Sequence, residues 1–121
     1  LAESDVISVH VKLTDESKHL IDADVFAKMK SNSIFLNGAR GAVVDTDALV
    51  DALNSGHLMG AGVDVFEEEP TPEVHPLFSC KQVVLTPHCA DMTPEGVDLL
   101  NGGAVDNVLA YLDGHPQNRV T

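Results

Sequence analysis

Short apolar runs alternate along this chain with segments whose apolar residues recur at helical spacing. The runs are rich in Val, Ile and Leu at nearly every position, which is typical of buried strands. We predict strands over residues 5–11, 33–37, 60–65 and 82–86, and helices over residues 22–30, 46–55 and 93–113. Strands of this kind that alternate with helices favour an α/β fold with a parallel sheet covered on both faces.

Residues that commonly begin or end helices stand at the predicted helix ends. Asp22 or Asp24 can cap the first helix, and Gly56 follows the second helix where a left-handed C-terminal cap belongs. Thr93 and Pro94 suit the cap and the first helical position of the last helix. The apolar stripe of that last helix predicts a buried face, whose members are Val97, Leu100, Ala104, Val105, Val108 and Leu112.

The composition of the chain narrows the class of partner. Hydrophobic residues make up 44% of the 121 residues, which favours one globular domain. Nineteen acidic and seven basic side chains give a formal charge of −12, which argues against binding to nucleic acid or to an anionic membrane. No segment approaches the ~20 apolar residues of a membrane span, and no secretion signal is recognised at the start of the sequence.

Two further features concern the origin of the chain. Cys80 and Cys89 are its only cysteines, too few for a disulfide framework, so we expect a reducing compartment and a cytoplasmic protein. The chain begins at Leu1 rather than at methionine, so we expect it to be a piece of a longer protein.

Four polar residues each stand at or just after the end of a predicted strand: His10, Arg40, Asp64 and His88. The carboxyl ends of parallel strands meet at one edge of a sheet, and ligands of such folds bind there. We therefore expect these four side chains to lie near one another in a ligand site.

Arg40, His88 and Glu69 together have the chemistry needed for a small acid. Arginine can hold a carboxylate through two hydrogen bonds and polarise the adjacent carbonyl group. Histidine changes its charge near neutral pH and can pass a proton to and from an alkoxide. A glutamate beside the ring would raise the pKa of His88. This set of residues indicates an enzyme that acts on a 2-hydroxy or 2-oxo acid.

Most of these residues also have a purely structural interpretation. Arg40 could neutralise part of an acidic surface, and His88 could be a histidine with satisfied hydrogen bonds before a helix. The solvated acidic loop that three adjacent glutamates usually indicate covers Glu67 and Glu68, whereas Pro70 stiffens the position after Glu69 and favours Glu69 as the one aimed at a partner. Asp64 is equally compatible with accepting a hydrogen bond from an amide, such as the carboxamide of nicotinamide, and with capping a loop.

Two other chemistries receive less support. His75 and His88, together with the glutamate cluster, lack a recognised ligand spacing, so we predict no metal site. Cys89 directly follows His88, and neighbours on an extended segment point apart, which argues against a nucleophile and its base.

The order of these motifs resembles that of the D-isomer-specific 2-hydroxyacid dehydrogenases over nearly the whole chain. The segments that carry the resemblance are Asn37-Gly38-Ala39-Arg40-Gly41, Gly60-Ala61-Gly62, Asp64-Val65-Phe66, Glu69-Pro70 and Thr86-Pro87-His88. The resemblance implies a doubly wound, Rossmann-like parallel sheet that is present only in part. Residues 1–113 would be the C-terminal half of an NAD(P)-binding domain with its long last helix. Residues 114–121 would be a return segment toward a substrate domain.

The resemblance also implies roles for individual residues. Arg40 would bind the substrate carboxylate, His88 would be the acid and base, and Glu69 would be its partner. The implied cofactor contacts are His10, Val11, Lys12, Gly38, Ala39, Arg40, Asp64, His88, Ala90 and Asp91. The implied cofactor is NAD or NADP, with NAD favoured, and the implied substrate is a small 2-hydroxy or 2-oxo acid.

The chain departs from the family pattern in three respects. Lys12 stands where family members usually have proline, and Cys89, Ala90 and Asp91 stand where glycines usually approach the cofactor. The 121 residues contain no G-x-G-x-x-G turn and no acidic residue placed for the adenosine ribose. We therefore expect the isolated chain to bind a dinucleotide poorly and to be inactive.

Other functions and an oligomeric state also follow from the sequence. The family resemblance extends to the C-terminal-binding-protein corepressors, so a nucleotide-sensing interaction module without catalysis is the alternative function. A metal-dependent hydrolase is less well supported. Without the missing half of the domain, the exposed side of the first strand offers unpaired backbone and apolar surface, so we expect the isolated chain to self-associate. For the intact protein we expect a homo-oligomer, most simply a dimer.

Overall fold

The computed structural model describes residues 1–120, in which four parallel strands form one sheet. The strands lie in the order β1 (Val6–Val9), β2 (Ser33–Asn37), β3 (Leu58–Val63) and β4 (Val83–Leu85). The helices are α1 (Ala23–Ala27), α2 (Thr46–Asn54) and α3 (Pro94–Leu112), and short 3-10 turns occupy Gly41–Val43 and Pro76–Ser79. The predicted α/β fold with a parallel sheet is confirmed. The chain divides into two compact units, one of residues 1–88 and one that begins at Cys89.

The four strands end level with one another at their carboxyl ends. Val9 pairs with Asn37, Asn37 with Val63, and Val63 with Leu85. β1 and β3 both end two residues earlier than predicted, so His10 and Asp64 begin loops rather than closing strands. The loops that follow β1, β2, β3 and β4 therefore all start from one edge of the sheet.

Side-chain caps fix where the first two helices begin. The carboxylate of Asp22 accepts a hydrogen bond from the N–H of Val25, which starts α1. The carboxylate of Asp45 accepts one from the N–H of Ala48, which starts α2. Gly56 follows α2 with a φ of 74°, a left-handed conformation that favours glycine. The predicted left-handed cap is confirmed, and α1 ends three residues earlier than predicted.

The hydrophobic core lies on the face of the sheet that α1 and α2 cover. Phe35 of β2 is completely buried and meets the ring of Phe26 edge to face, with the ring centroids 5.1 Å apart. Leu49 and Leu53 of α2 and Leu58 of β3 are also buried in this core. The apolar stripe of each helix explains this packing, because helical spacing puts these side chains on one side.

The opposite face of the sheet is exposed, which corrects the expectation of cover on both faces within the described chain. The side chains of Val6, Leu36 and Val84 are exposed, whereas their neighbours along each strand are buried or partly buried. Right-handed crossovers between strands in simple sequential order place every connection on the same side of a parallel sheet. The helices α1 and α2 that connect β1, β2 and β3 can therefore cover only one face.

The last helix, α3, begins as predicted but does not bury its apolar stripe. The hydroxyl of Thr93 accepts a hydrogen bond from the N–H of Gly96, and Pro94 is the first helical residue. None of the residues of α3 is buried, so the predicted buried face is wrong for the described chain. A single helix cannot bury its own stripe without a partner surface. None of the helices within residues 1–120 is long and apolar enough to cross a membrane.

Candidate active site

His88 and Glu69 form an ion pair beyond the carboxyl ends of β3 and β4. Nδ1 of His88 lies 2.7 Å from Oε2 of Glu69, and the two side chains remain 46% and 36% exposed. The hydrogen bond to Glu69, followed by its negative charge, raises the pKa of His88 above the usual value. The hydrogen bond from His88 is the largest cause that lowers the pKa of Glu69. The histidine is therefore biased toward the protonated form that a general acid needs.

The backbone turns sharply at His88 and thereby aims its side chain. His88 has a φ of 54°, a left-handed conformation that is uncommon for residues other than glycine. Its N–H donates to the carbonyl oxygen of Asp64 over 2.8 Å, which ties the end of β4 to the end of β3. Strained backbone of this kind is concentrated at functional sites.

Glu69 is held in place from a second side. Its Oε1 accepts a hydrogen bond from the N–H of Phe66 over 2.8 Å, while Oε2 faces His88. Glu67, two residues earlier, instead contacts Lys18 at 3.7 Å and His19 at 3.5 Å on the surface. The solvated-loop interpretation therefore describes Glu67, whereas Glu69 has two specific partners.

Arg40 follows a turn that Asn37 closes. Oδ1 of Asn37 accepts from the N–H of Ala39, and Nδ2 of Asn37 donates to the carbonyl oxygen of Arg40, each over 3.1 Å. Nη1 of Arg40 donates to the carbonyl oxygen of Ala39 over 2.6 Å, and the side chain is exposed. The turn makes the neighbouring guanidinium available to an acid outside the protein.

The turn that carries Arg40 is packed against the segment that carries Glu69. A Cβ at Gly41 would collide with the backbone of Phe66 and Glu67, so only glycine permits this approach. The charge of Arg40 contributes to lowering the pKa of both Glu69 and His88. The structure thus brings together the three residues that the sequence predicted to be catalytic.

A separate depression at the same edge of the sheet collects most of the predicted cofactor contacts. It has a volume of about 450 Å³ and lies between the loops that follow β1 and β2. Its lining residues are His10, Val11, Lys12, Leu13, Gly38, Ala39 and Arg40. Leu13 is the one lining residue that sequence reasoning did not identify, although it directly follows the predicted contact Lys12.

The depression fits part of a nicotinamide dinucleotide. Its lining contains Lys12 and Arg40 but no carboxylate, which suits a polyanion. A Cβ at Gly38 would meet no atom within 4 Å, so the space beside this residue in the depression is open. Nε2 of His10 lies 2.8 Å from the hydroxyl of Ser8, which orients the ring at the rim.

Asp64 is placed differently from the other predicted contacts. It is 7% exposed and does not line the depression. Its carboxylate accepts a hydrogen bond from the hydroxyl of Thr86, and its N–H donates to the carbonyl oxygen of Asn37 over 3.0 Å. These bonds join the ends of β2, β3 and β4, so Asp64 has a structural role whether or not it also meets a cofactor.

Ala90 and Asp91 belong to the second unit, in the turn that leads into α3. The N–H of Thr93 donates a hydrogen bond to the carbonyl oxygen of Asp91 over 2.9 Å. The N–H of Met92 donates one to the carbonyl oxygen of Cys89 over 3.0 Å. The implied cofactor contacts at these two positions stay predictions. Thr121, the last residue of the predicted return segment, lies outside the described residues.

His75, the other residue considered for a metal site, has a structural environment. Its Nδ1 accepts a hydrogen bond from the N–H of Leu77 over 3.3 Å, and its ring packs edge to face against Phe66. Burial lowers the pKa of His75. Within residues 1–120, no group of three or more His, Cys, Asp or Glu side chains is arranged to hold a metal ion.

Comparison with known proteins places this geometry in a family. The family model described as "D-isomer specific 2-hydroxyacid dehydrogenase, NAD binding domain" matches residues 1–90. A glyoxylate reductase of Thermofilum pendens is 47% identical over 114 residues, which are 94% of this chain and 34% of that protein. A glyoxylate/hydroxypyruvate reductase B of Cronobacter sakazakii is also 47% identical, over 94% of this chain and 35% of that protein.

A solved structure has the same fold. It is a D-isomer specific 2-hydroxyacid dehydrogenase of Xanthobacter autotrophicus Py2 in complex with NADPH and MES, and it superposes with a TM-score of 0.83. The two sequences are 38% identical over all of this chain and half of that protein. The chain spans about a third of the length of the curated relatives it matches, at 34% and 35%.

Proposed function

Because the chain belongs to the D-isomer specific 2-hydroxyacid dehydrogenase family, we propose that the intact protein is an NAD(P)-dependent oxidoreductase. It interconverts small 2-hydroxy and 2-oxo acids, acting on the CH–OH group. The single observation that carries this proposal is the contact between His88 and Glu69 with Arg40 beside them. This arrangement supplies an acid and base next to a group that binds carboxylates.

The chain's own residues divide the chemistry between them. The guanidinium of Arg40 binds the substrate carboxylate through two hydrogen bonds and holds the C2 carbonyl in position. A bound nicotinamide dinucleotide supplies the hydride that C2 receives. The imidazolium of His88 gives its proton to the C2 oxygen, and the neutral ring takes that proton back in the reverse direction.

The position of Glu69 assigns the two ring nitrogens of His88. Nδ1 faces the carboxylate of Glu69, so Nε2 is the atom that transfers the proton. Glu69 keeps the ring oriented and favours its charged form, as the raised pKa of His88 indicates. Glu69 is thus a positioning residue for His88.

The cofactor is NAD or NADP, and NAD is favoured by the description of the matching family model. The NADPH complex of the Xanthobacter relative supports the wider class of nicotinamide dinucleotides. His10, Val11, Lys12, Gly38, Ala39 and Arg40 would hold part of it in the depression. The substrate is a short 2-oxo acid of the size of glyoxylate, as the names of the most similar relatives support.

The assembly and location of the intact protein are part of the same proposal. We propose that the intact protein is a homo-oligomer, most simply a dimer. The chain has only two cysteines, Cys80 and Cys89, too few for a disulfide framework, which supports a reducing compartment and with it a cytoplasmic location.

The test is a hydride-transfer assay on the full-length protein that contains this sequence. The absorbance of NADH or NADPH is followed with a panel of 2-oxo acids, from glyoxylate to bulkier acids. We expect dinucleotide oxidation that depends on a short 2-oxo acid. Dinucleotide binding without turnover on any acid of the panel would contradict the enzyme and favour the interaction module of the corepressor type.

A further inference from the structure

Lys12 is a cation of the depression whose partner group on the cofactor the proposed function does not name. It lies just past the end of β1 and lines the depression together with Arg40. Its side chain is exposed, and it forms none of the ion pairs found within residues 1–120. An ammonium group there is available to an anion from outside the protein.

The loop around Lys12 is held in shape by hydrogen bonds. The hydroxyl of Ser17 donates to the carbonyl oxygen of Lys12 over 2.8 Å and accepts from the N–H of Thr14 over 2.8 Å. The backbone position of Lys12 is therefore fixed, although its side chain is long. A preorganised backbone lowers the entropy lost when the side chain binds a ligand.

The electrostatic surroundings of Lys12 contrast with the rest of the molecule. The whole chain has a formal charge of −12, yet the seven residues that line the depression include two permanent cations and no carboxylate. A cleft lined by one sign of charge concentrates ligands of the opposite sign. The depression is thus a local site of attraction for an anion on an acidic protein.

The distance between Lys12 and His88 bears on which anion Lys12 binds. Lys12 follows β1, whereas His88 follows β4, three strands away in the sheet. Neighbouring strands lie about 4.8 Å apart, so these strand ends are separated by roughly 14 Å. In the proposed function the carboxylate of a small 2-oxo acid is taken by Arg40, so Lys12 is left for a second anionic group. The dinucleotide carries such groups on an extended molecule that can reach both strand ends.

We propose that Lys12 binds a phosphate group of the dinucleotide cofactor. The ligand identity rests on the proposed function, because the dinucleotide is the extended anion of that reaction. The phosphate is either one of the pyrophosphate bridge, common to NAD and NADP, or the 2′-phosphate that only NADP carries. Both sources present the same chemistry to an ammonium group.

The experiment measures dinucleotide affinity in the full-length protein by titrating the fluorescence of NADH and of NADPH. The variants are Lys12→Ala, Lys12→Arg and, as a matched control, Lys28→Ala. Lys28 is an exposed lysine at the end of α1 and does not line the depression. We expect Lys12→Ala to weaken binding about 3- to 10-fold more than Lys28→Ala does, and Lys12→Arg to restore most of the affinity. The loss should shrink at high salt.

The two dinucleotides separate the sources of the phosphate. Equal losses for NADH and NADPH assign Lys12 to the pyrophosphate, and a loss confined to NADPH assigns it to the 2′-phosphate. The proposal is overturned if Lys12→Ala matches Lys28→Ala with both dinucleotides, or if only the KM of the 2-oxo acid changes. If Lys12→Ala loses dinucleotide affinity but the unchanged protein reduces no 2-oxo acid, the proposal for Lys12 stands and only the proposed function is contradicted.

Discussion

Oε2 of Glu69 lies 2.7 Å from Nδ1 of His88, although nineteen residues separate them along the chain. The loop after β3 supplies the carboxylate, and the turn after β4 supplies the ring. The pairing depends on the level ends of the two strands and on the hydrogen bond from Phe66 that holds Glu69. Each partner shifts the pKa of the other, which makes the pair accessible to experiment.

The first prediction concerns pH. His88 has a raised pKa in the folded protein. Its pairing with Glu69 therefore contributes its full stabilisation below the unfolded pKa of about 6.5, and that stabilisation is lost as the pH rises through the folded pKa. Glu69 has a lowered pKa, so its contribution is present above about 4.3 and is lost as pH falls through the folded pKa. The pair is therefore intact between the lowered pKa of Glu69 and the raised pKa of His88.

Glu69→Gln should lower the pKa of His88, because the substitution weakens the hydrogen bond to the ring and removes the negative charge beside it. Nuclear magnetic resonance titration of the His88 ring measures this directly in the isolated chain. Glu68→Gln is the matched control. This substitution removes the same charge from the same loop, and Glu68 is not among the causes of the raised pKa of His88. An unchanged His88 titration in Glu69→Gln would show that the two side chains do not pair in solution.

The second prediction concerns catalysis by His88. His88→Gln in the full-length protein should lower kcat by roughly 10²–10⁴, because general acid and base catalysis is lost. Dinucleotide affinity should change little, since His88 does not line the depression. His115→Gln, at an exposed position after α3, should retain normal turnover. Near-normal kcat in His88→Gln would remove His88 from the mechanism.

The third prediction concerns the geometry of Arg40. Arg40→Lys keeps the positive charge but loses the planar fork that binds a carboxylate with two hydrogen bonds. We expect kcat/KM for a 2-oxo acid to fall about 10- to 100-fold, as the loss of about 1.5–3 kcal/mol from a charged hydrogen bond implies. The His88 titration should be nearly unchanged, because Arg40 acts on His88 only through its charge. If kcat/KM is also unchanged, Arg40 does not bind the substrate.

The sequence predicted the fold class and the closeness of Arg40, Glu69 and His88 because both follow from local patterns. The catalytic roles of the three residues stay predictions. Short apolar runs marked every strand, and Asp22 and Thr93 marked the starts of α1 and α3 through ordinary capping chemistry. Arg40 and His88 were identifiable because the carboxyl ends of parallel strands always share one edge. No three-dimensional information was needed for these conclusions.

Other features depend on contacts between distant segments and were not predictable. The hydrogen bond from Thr86 to Asp64 and the contact of Gly41 with Phe66 join residues more than twenty positions apart. The apolar stripe of α3 was predicted to be buried because periodicity reports which side is apolar, not whether a partner surface exists. Only the structure distinguishes Gly41, which packs against the backbone of Phe66, from Gly38, which lies beside open space in the depression.

The fourth prediction contrasts the roles of Gly38 and Gly41, the two glycines on either side of Arg40. Gly38→Ala places a methyl group in open space, so the free energy of unfolding should change by less than about 0.5 kcal/mol. The same methyl group should weaken dinucleotide binding by about tenfold in the full-length protein, because it fills part of the depression. Gly41→Ala should instead destabilise the fold by about 1–3 kcal/mol, because its Cβ meets the backbone of Phe66.

Denaturant unfolding and dinucleotide titration on both variants check this contrast. The expected pattern is a stable Gly38→Ala with weak binding and an unstable Gly41→Ala. Normal dinucleotide affinity in Gly38→Ala would show that the ligand does not approach the protein at this turn.

The fifth prediction concerns the exposed face of the sheet in the isolated chain. Leu36, Met59 and Val84 line an open apolar trough of about 460 Å³ on this face, together with Gly60 and Gly62. Contiguous apolar surface of this kind is rarely exposed in monomeric proteins. In addition, β1 is an edge of the described sheet and offers unpaired backbone groups. The isolated chain should therefore self-associate.

A single charge in the trough tests whether this face is responsible. Val84→Lys should shift the chain toward monomer, because pairing would bury an ammonium group without a partner. Val74→Lys is the matched control, since Val74 is 90% exposed and lies outside the trough. Light scattering at several concentrations measures the mass of each variant. A monodisperse monomer of the unchanged chain contradicts the prediction. Equal effects of the two lysines would mean that general charge, rather than the sheet face, governs association.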